Sequence, residues 1–172
     1  MATAALIPLS QYLKTSYHPD REYLDGEVRE RNMGKWEHAR VQAALAAWFW
    51  THESTWGVMV ATEWRTQVSA TRVRIPDVVV LAANSRQTDV LSQPPLLVIE
   101  ILSPEDTFAE TQRRAEDYQR MGADTLWIID PQTRTAKVCT RLTWTAATRL
   151  TVAGSEVYVE IEHLFRAIDH PA

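Results

Sequence analysis

Cys139 is the only cysteine in the chain's 172 residues, so one chain can form no disulfide and no thiolate metal cluster. A lone thiol suits a reducing cytoplasm. The longest apolar run, Ala43 to Trp50, falls far short of the roughly 18 residues a membrane span needs. Met1 to Pro8 has no basic segment before its apolar residues, and Pro8 ends the run, so no export signal is expected. Five glycines and eight prolines, with no repetitive tract, exclude a low-complexity or fibrous chain. An excess of positive charge is also missing. The formal charge of -4 argues against a protein that coats nucleic acid by bulk electrostatics, while leaving room for a locally basic cleft. A soluble, cytoplasmic protein without a membrane partner is the expectation.

What is present is enough apolar material, 45%, for one α/β core, and the length suits a single domain over residues 1–172. The seven tryptophans suggest a well-filled interior or an oligomer interface. A short helix is expected over residues 9–15. Asp25-Gly26 between two strand-like runs, Glu22 to Arg29, predicts a hairpin with a type I′ turn. Val41, Ala44, Leu45 and Trp48 recur at helical spacing, placing a helix over Glu37 to Thr51 with Gly57 beyond its end.

Strand-like segments follow at Val58 to Gln67, Val73 to Leu81 and Leu96 to Leu102, with Asn84 to Pro95 as a polar connection. Thr107 and Glu110 have the spacing of a capping box, so a second helix opens there and ends near Gly122. Thr125 to Ile129 is another buried strand. Weaker β signals with a hairpin among them are expected over Thr135 to Val159, before a short closing helix around Ile161 to Phe165. This order describes an α/β sandwich: a mixed central β-sheet flanked by helices, with an N-terminal hairpin and C-terminal β additions.

Two acids stand out against this frame. Glu100 lies within Leu96-Leu97-Val98-Ile99-Glu100-Ile101-Leu102, where every neighbour favours burial, so an ionised carboxylate there needs compensation. Asp77 follows Pro76 and precedes Val78-Val79-Val80-Leu81, at the lip of a strand where the proline removes a ladder donor. Adjacent strands would bring the two carboxylates together, and a hard divalent cation relieves their repulsion. The alternative is a buried structural ion pair with arginines such as Arg72 or Arg74. If repulsion dominates the metal-free pair, Asp77→Asn stabilises the chain; a loss of stability marks an ion pair instead.

Ile75-Pro76-Asp77-Val78-Val79, then Val98 through Glu100 to Pro104, then Gly122 through Trp127 to Pro131, together resemble the bacterial Uma-two family. That family is restriction-endonuclease-like and lies within the PD-(D/E)XK nuclease superfamily. Tyr23 to Glu27 and Glu37-His38 extend the resemblance over almost the whole chain. It implies a restriction-endonuclease-like sandwich in which Asp77 and Glu100 hold Mg2+ or Mn2+ with a backbone carbonyl, that of Ile101, for hydrolysis of DNA phosphodiesters. The superfamily's lysine, two residues after the glutamate, is replaced here by Leu102. The family pattern places its lysine on the following helix, where it matches Arg114, a group able to clamp phosphate but not to act as a general base.

His38 falls on the inward stripe of the first helix, where it can orient water or phosphate or serve as a core histidine bonded to a carbonyl. Glu27 matches another family acid and is the candidate outer-shell ligand, against the alternative of an ordinary solvated residue. For Arg114 the alternative is pairing with Glu110 or Asp117. Arg29, Arg31, Lys35 and Arg40, interspersed with glutamates, read as a solvated surface. Leu102 and Arg114 favour a rival reading, a catalytically silent nucleic-acid-binding or regulatory protein that keeps the nuclease fold. Homodimerisation is compatible with a nuclease that addresses two strands.

Overall fold

The computed structural model describes residues 6–32 and 34–169; the first five residues of the Met1 to Pro8 segment lie outside them. Leu9–Leu13 forms α1, and Glu22–Leu24 (β1) and Glu27–Arg29 (β2) form the expected hairpin. Both turn residues have positive φ, 53° at Asp25 and 100° at Gly26, as a type I′ turn requires. Trp36–Trp56 (α2) outruns the predicted helix at both ends and stops at Gly57, whose φ of 64° supplies the left-handed C-cap.

The next two predicted strands are each broken in two. Val58 to Gln67 becomes Val58–Thr62 (β3) and Thr66–Ser69 (β4), and Val73 to Leu81 becomes Arg72–Arg74 (β5) and Val78–Ala82 (β6). The breaks face each other: β3 pairs with β6 up to Thr62↔Val78, and β4 resumes pairing with β5 at Thr66↔Arg74. Between them Glu63, at φ 50°, donates its N–H towards the carbonyls of Pro76 and Asp77. The antiparallel ribbon therefore bends at one corner and passes from one sheet into another, and Asp77 sits in that corner. Pro76, which cannot donate to a ladder, lies in the break.

Leu97–Ile101 (β7), Phe108–Met121 (α3), Thr125–Asp130 (β8), Thr135–Thr140 (β9), Thr143–Ala146 (β10), Arg149–Thr151 (β11), Tyr158–Glu160 (β12) and Ile161–Asp169 (α4) complete the order. The predicted closing helix thus runs further than Phe165. The central sheet is β10-β9-β8-β7-β6-β3, mixed because β7 and β8 run parallel while its other pairs are antiparallel. A second sheet, β2-β1-β5-β4, carries the N-terminal hairpin, and β11 pairs with β12.

Alternation along β7 explains the layering. Leu97, Ile99 and Ile101 join Val41, Leu45 and Phe49 of α2 in the larger core, with Leu164 and Phe165 of α4. Val98 turns to the other face, against Ala115 and Tyr118 of α3, beside Leu126 and Ile128 of β8. Helix α3 begins with the predicted capping box: Thr107 accepts from the Glu110 N–H, and the Glu110 carboxylate accepts from Thr107. The tryptophans do not all pack inward. Trp127 is fully buried, but Trp36 and Trp50 are 74% and 69% exposed.

Candidate active site

The ladder between β6 and β7 pairs Val78 with Ile99, and one further step along the same register sets Asp77 opposite Glu100. Both side chains are buried. Asp77 is held from several directions. Its Oδ2 accepts the backbone N–H of Ile101 at 2.7 Å and lies 3.3 Å from His38 Nε2, while Oδ1 accepts from Arg31 Nη2 at 3.0 Å. Gln42 of α2 donates to the Asp77 carbonyl at 3.0 Å.

Glu100 projects towards α3. Its Oε1 accepts the Tyr118 hydroxyl at 2.7 Å, and Oε2 faces Arg114 Nη1 at 3.3 Å. Burial pushes the Glu100 carboxyl up to about 7; Asp77 and Glu22 add to the rise, while Arg114 and the Tyr118 hydrogen bond oppose it. Burial likewise lifts the Tyr118 hydroxyl, helped by the charge of Glu100, so it stays a donor. For His38, burial acts to lower the pKa, but the hydrogen bond and charge of Asp77 outweigh it and leave the imidazole raised.

The sequence-based candidates are distributed unevenly. Asp77, Glu100, Ile101, Arg114 and His38 converge on the junction of β6, β7, α2 and α3. Glu27 does not join them by any contact: it lies on the outer strand β2, bonded to Arg29 at 2.7 and 2.9 Å. The acid of this hairpin whose charge acts on Glu100 is Glu22, buried on β1 and paired with Arg74 at 2.7 Å. Arg114 pairs with Glu100 and, at 3.1 Å, with Asp106, rather than with Glu110 or Asp117.

The arginines expected to neutralise the acids are engaged elsewhere, since Arg72 and Arg74 both bind the buried Asp117. Arg31 is not part of a solvated surface cluster: its guanidinium reaches into the site and bonds the buried Asp77 at 3.0 Å. Nothing in the local sequence marks it, because its partner is 46 residues away. Nothing in the local sequence marks Tyr118 either; the fold alone turns its hydroxyl onto Glu100.

The donor set fits a hard divalent cation. Two carboxylates meet at one corner and offer hard oxygen ligands, each paired with a guanidinium with which a cation would compete. Among the described residues no group of three or more His, Cys, Asp or Glu side chains gathers for a metal, so a backbone oxygen would have to complete the protein's share. Ile101 is suited to this. Its N–H turns towards β6, whereas the N–H of Leu102 bonds to Ile129 of β8. Continued two residues past its last pair, the same register would set Pro76 opposite Ile101, and proline has no N–H to offer that residue's carbonyl. Leu102, at the position of the superfamily lysine, packs against the α3 core instead.

A family model named Uma2 and described as "Putative restriction endonuclease" matches residues 10–166. Among solved structures, the chain is similar to a "putative nuclease belonging to DUF820" from Anabaena variabilis, at 20% identity and a TM-score of 0.81, covering 94% of this chain and 99% of that one. That likeness shows the fold. A weaker match is to a DrdV-DNA complex, at 15% identity and a TM-score of 0.44, covering 76% of this chain and 11% of that one. No curated protein matches the sequence.

Proposed function

Since the chain belongs to the Uma2 family of restriction-endonuclease-like proteins, we propose that it is a divalent-metal-dependent nuclease that hydrolyses DNA phosphodiester bonds. The observation that carries this reading is the cross-strand placement of two buried acids, Asp77 and Glu100, at the corner where the ribbon bends. Asp77, Glu100 and the Ile101 carbonyl would hold Mg2+ or Mn2+. When bound, such an ion polarises the phosphate and lowers the pKa of a bound water, which makes a nucleophile near neutral pH.

The protein's own groups prepare that chemistry. The Ile101 N–H and His38 fix one oxygen of Asp77, and Tyr118 fixes one oxygen of Glu100, so both carboxylates are oriented before any ligand arrives. Arg114, anchored by Asp106, is the positive group for the phosphate; it stays protonated, so it stabilises charge and accepts no proton. His38 stands on the Asp77 side, where it can orient water.

The test is cleavage of plasmid and single-stranded DNA with Mg2+ or Mn2+, beside Asp77→Ala and Glu100→Ala. Loss of cutting in both variants is the expected result, and cutting that survives them would refute the assignment. The absence of a lysine at Leu102 favours a second reading, a silent nucleic-acid-binding protein. That reading requires metal binding, or DNA binding, without cleavage by the wild type.

A further inference from the structure

Both acids of the site carry an arginine, but the two arginines are held differently. Arg114 is fastened by two buried partners, Glu100 at 3.3 Å and Asp106 at 3.1 Å, and Asp106 is itself fixed by the Ser103 N–H at 2.8 Å. Arg31 has one close partner, Asp77. Its other acid, Glu63, is 3.8 Å away with a side chain 54% exposed. Arg31 also borders a cavity of about 220 Å³, lined by Asn32, Gly34, His38, Gln42 and Glu63 among others, so its guanidinium has space into which to move.

Charge favours such a movement. The guanidinium bonds Asp77 at Oδ1, the oxygen that neither Ile101 nor His38 engages. A cation bound by Asp77 would compete for that oxygen, and two positive groups in one buried corner repel. Arg114 is tied down by Asp106, so Arg31 is the group that can yield. Glu63 can receive it: this residue sits at the bend of the ribbon with its N–H on the carbonyls beside and at Asp77. The segment bearing Arg31 is tethered over the site by Asn32 to Asp106 at 3.2 Å and Lys35 to Glu105 at 3.1 Å, so the side chain can swing without its backbone leaving.

We propose that Arg31 is an exchangeable counter-ion of the metal site: it neutralises Asp77 in the metal-free protein and is displaced towards Glu63 when a divalent cation binds. Metal affinity is thereby set by competition with an internal guanidinium. The inference rests on reading Asp77 and Glu100 as metal ligands.

The experiment is calorimetric titration of Mn2+ into the wild type, Arg31→Gln, Arg31→Lys and Asp77→Ala. Removing the competing charge in Arg31→Gln is expected to tighten Mn2+ binding about tenfold. Arg31→Lys, which keeps the charge, should remain near the wild type. Equal or weaker binding by Arg31→Gln, with wild-type binding that Asp77→Ala abolishes, overturns the counter-ion role and leaves the metal site intact. Binding by Arg31→Gln alone supports the competition in its strongest form, and binding by neither protein overturns both readings. Should Arg31→Gln not fold, the side-chain Nε–Hε resonance of Arg31 in 15N-labelled wild type decides the matter. It must shift on saturation with Mg2+; an unmoved signal overturns the proposal.

Discussion

Glu100 should make the metal-free protein less stable as the pH rises through neutrality. Its carboxyl is raised to about 7 in the fold, against an ordinary value of 4.5. A group whose folded pKa exceeds its unfolded one contributes stability that is complete below the unfolded value and is lost as pH climbs through the folded value. Between those limits the native state binds one proton more than the unfolded chain, so stability falls by about 1.4 kcal/mol per pH unit and by about 3 kcal/mol in all. His38, also raised, contributes in the same direction, so the wild-type curve alone does not isolate Glu100. Glu100→Gln removes that titration, together with the smaller upward push that the Glu100 charge gives His38. Urea unfolding in chelator from pH 4.5 to 8 should show the wild type losing stability relative to Glu100→Gln across this range. The offset between the two proteins will be reduced by the poorer fit of an amide beside Arg114; the slope of the difference is the diagnostic quantity. Saturating Mg2+ should suppress that slope, since a bound cation keeps the carboxylate ionised. Parallel profiles for the two chelator-treated proteins would refute the argument.

Three further substitutions test the surroundings. The Arg31–Asp77 ion pair puts Asp77→Asn on the destabilising branch: the metal-free protein should lose about 3 kcal/mol in denaturant titration, because Arg31 loses its close buried partner. A stabilised variant would show that carboxylate repulsion dominates. Tyr118→Phe removes the hydroxyl donor to Glu100 and should cost about 1–2 kcal/mol at pH 8, less at pH 5 where Glu100 is protonated; the pH-resolved thermal midpoint measures both. Asp117→Asn strips the buried carboxylate shared by Arg72, Arg74 and Arg120 and should cost about 3–5 kcal/mol by urea unfolding; a loss below about 1 kcal/mol would show that the network is dispensable.

Much of the frame was legible because its causes are local. Asp25-Gly26 turns the first hairpin by its own backbone preference, and Thr107 with Glu110 starts α3 within one helical turn. The repeat of Val41 and Leu45 identifies the buried side of α2, which also carries His38 inward. A charged residue inside the apolar run of β7 singles out Glu100, and Pro76 before Asp77 marks the strand lip. What stayed hidden depends on chain segments far apart. No local periodicity distinguishes a straight strand from one that changes sheets, so the bend at Glu63 and Pro76 is decided by the facing of the two breaks.

By itself, then, the sequence determined most of the helices and strands, and marked Asp77 and Glu100 as acids to be buried and compensated, since burial follows from the apolar residues beside them. The tertiary structure alone decided what compensates them. Arg31 rather than Arg72 or Arg74 reaches Asp77, Tyr118 and Arg114 share Glu100, and the charge of Glu22 acts on it. The physical reason is that electrostatic partnership depends on distance through space, and the bent ribbon, not spacing along the chain, sets those distances.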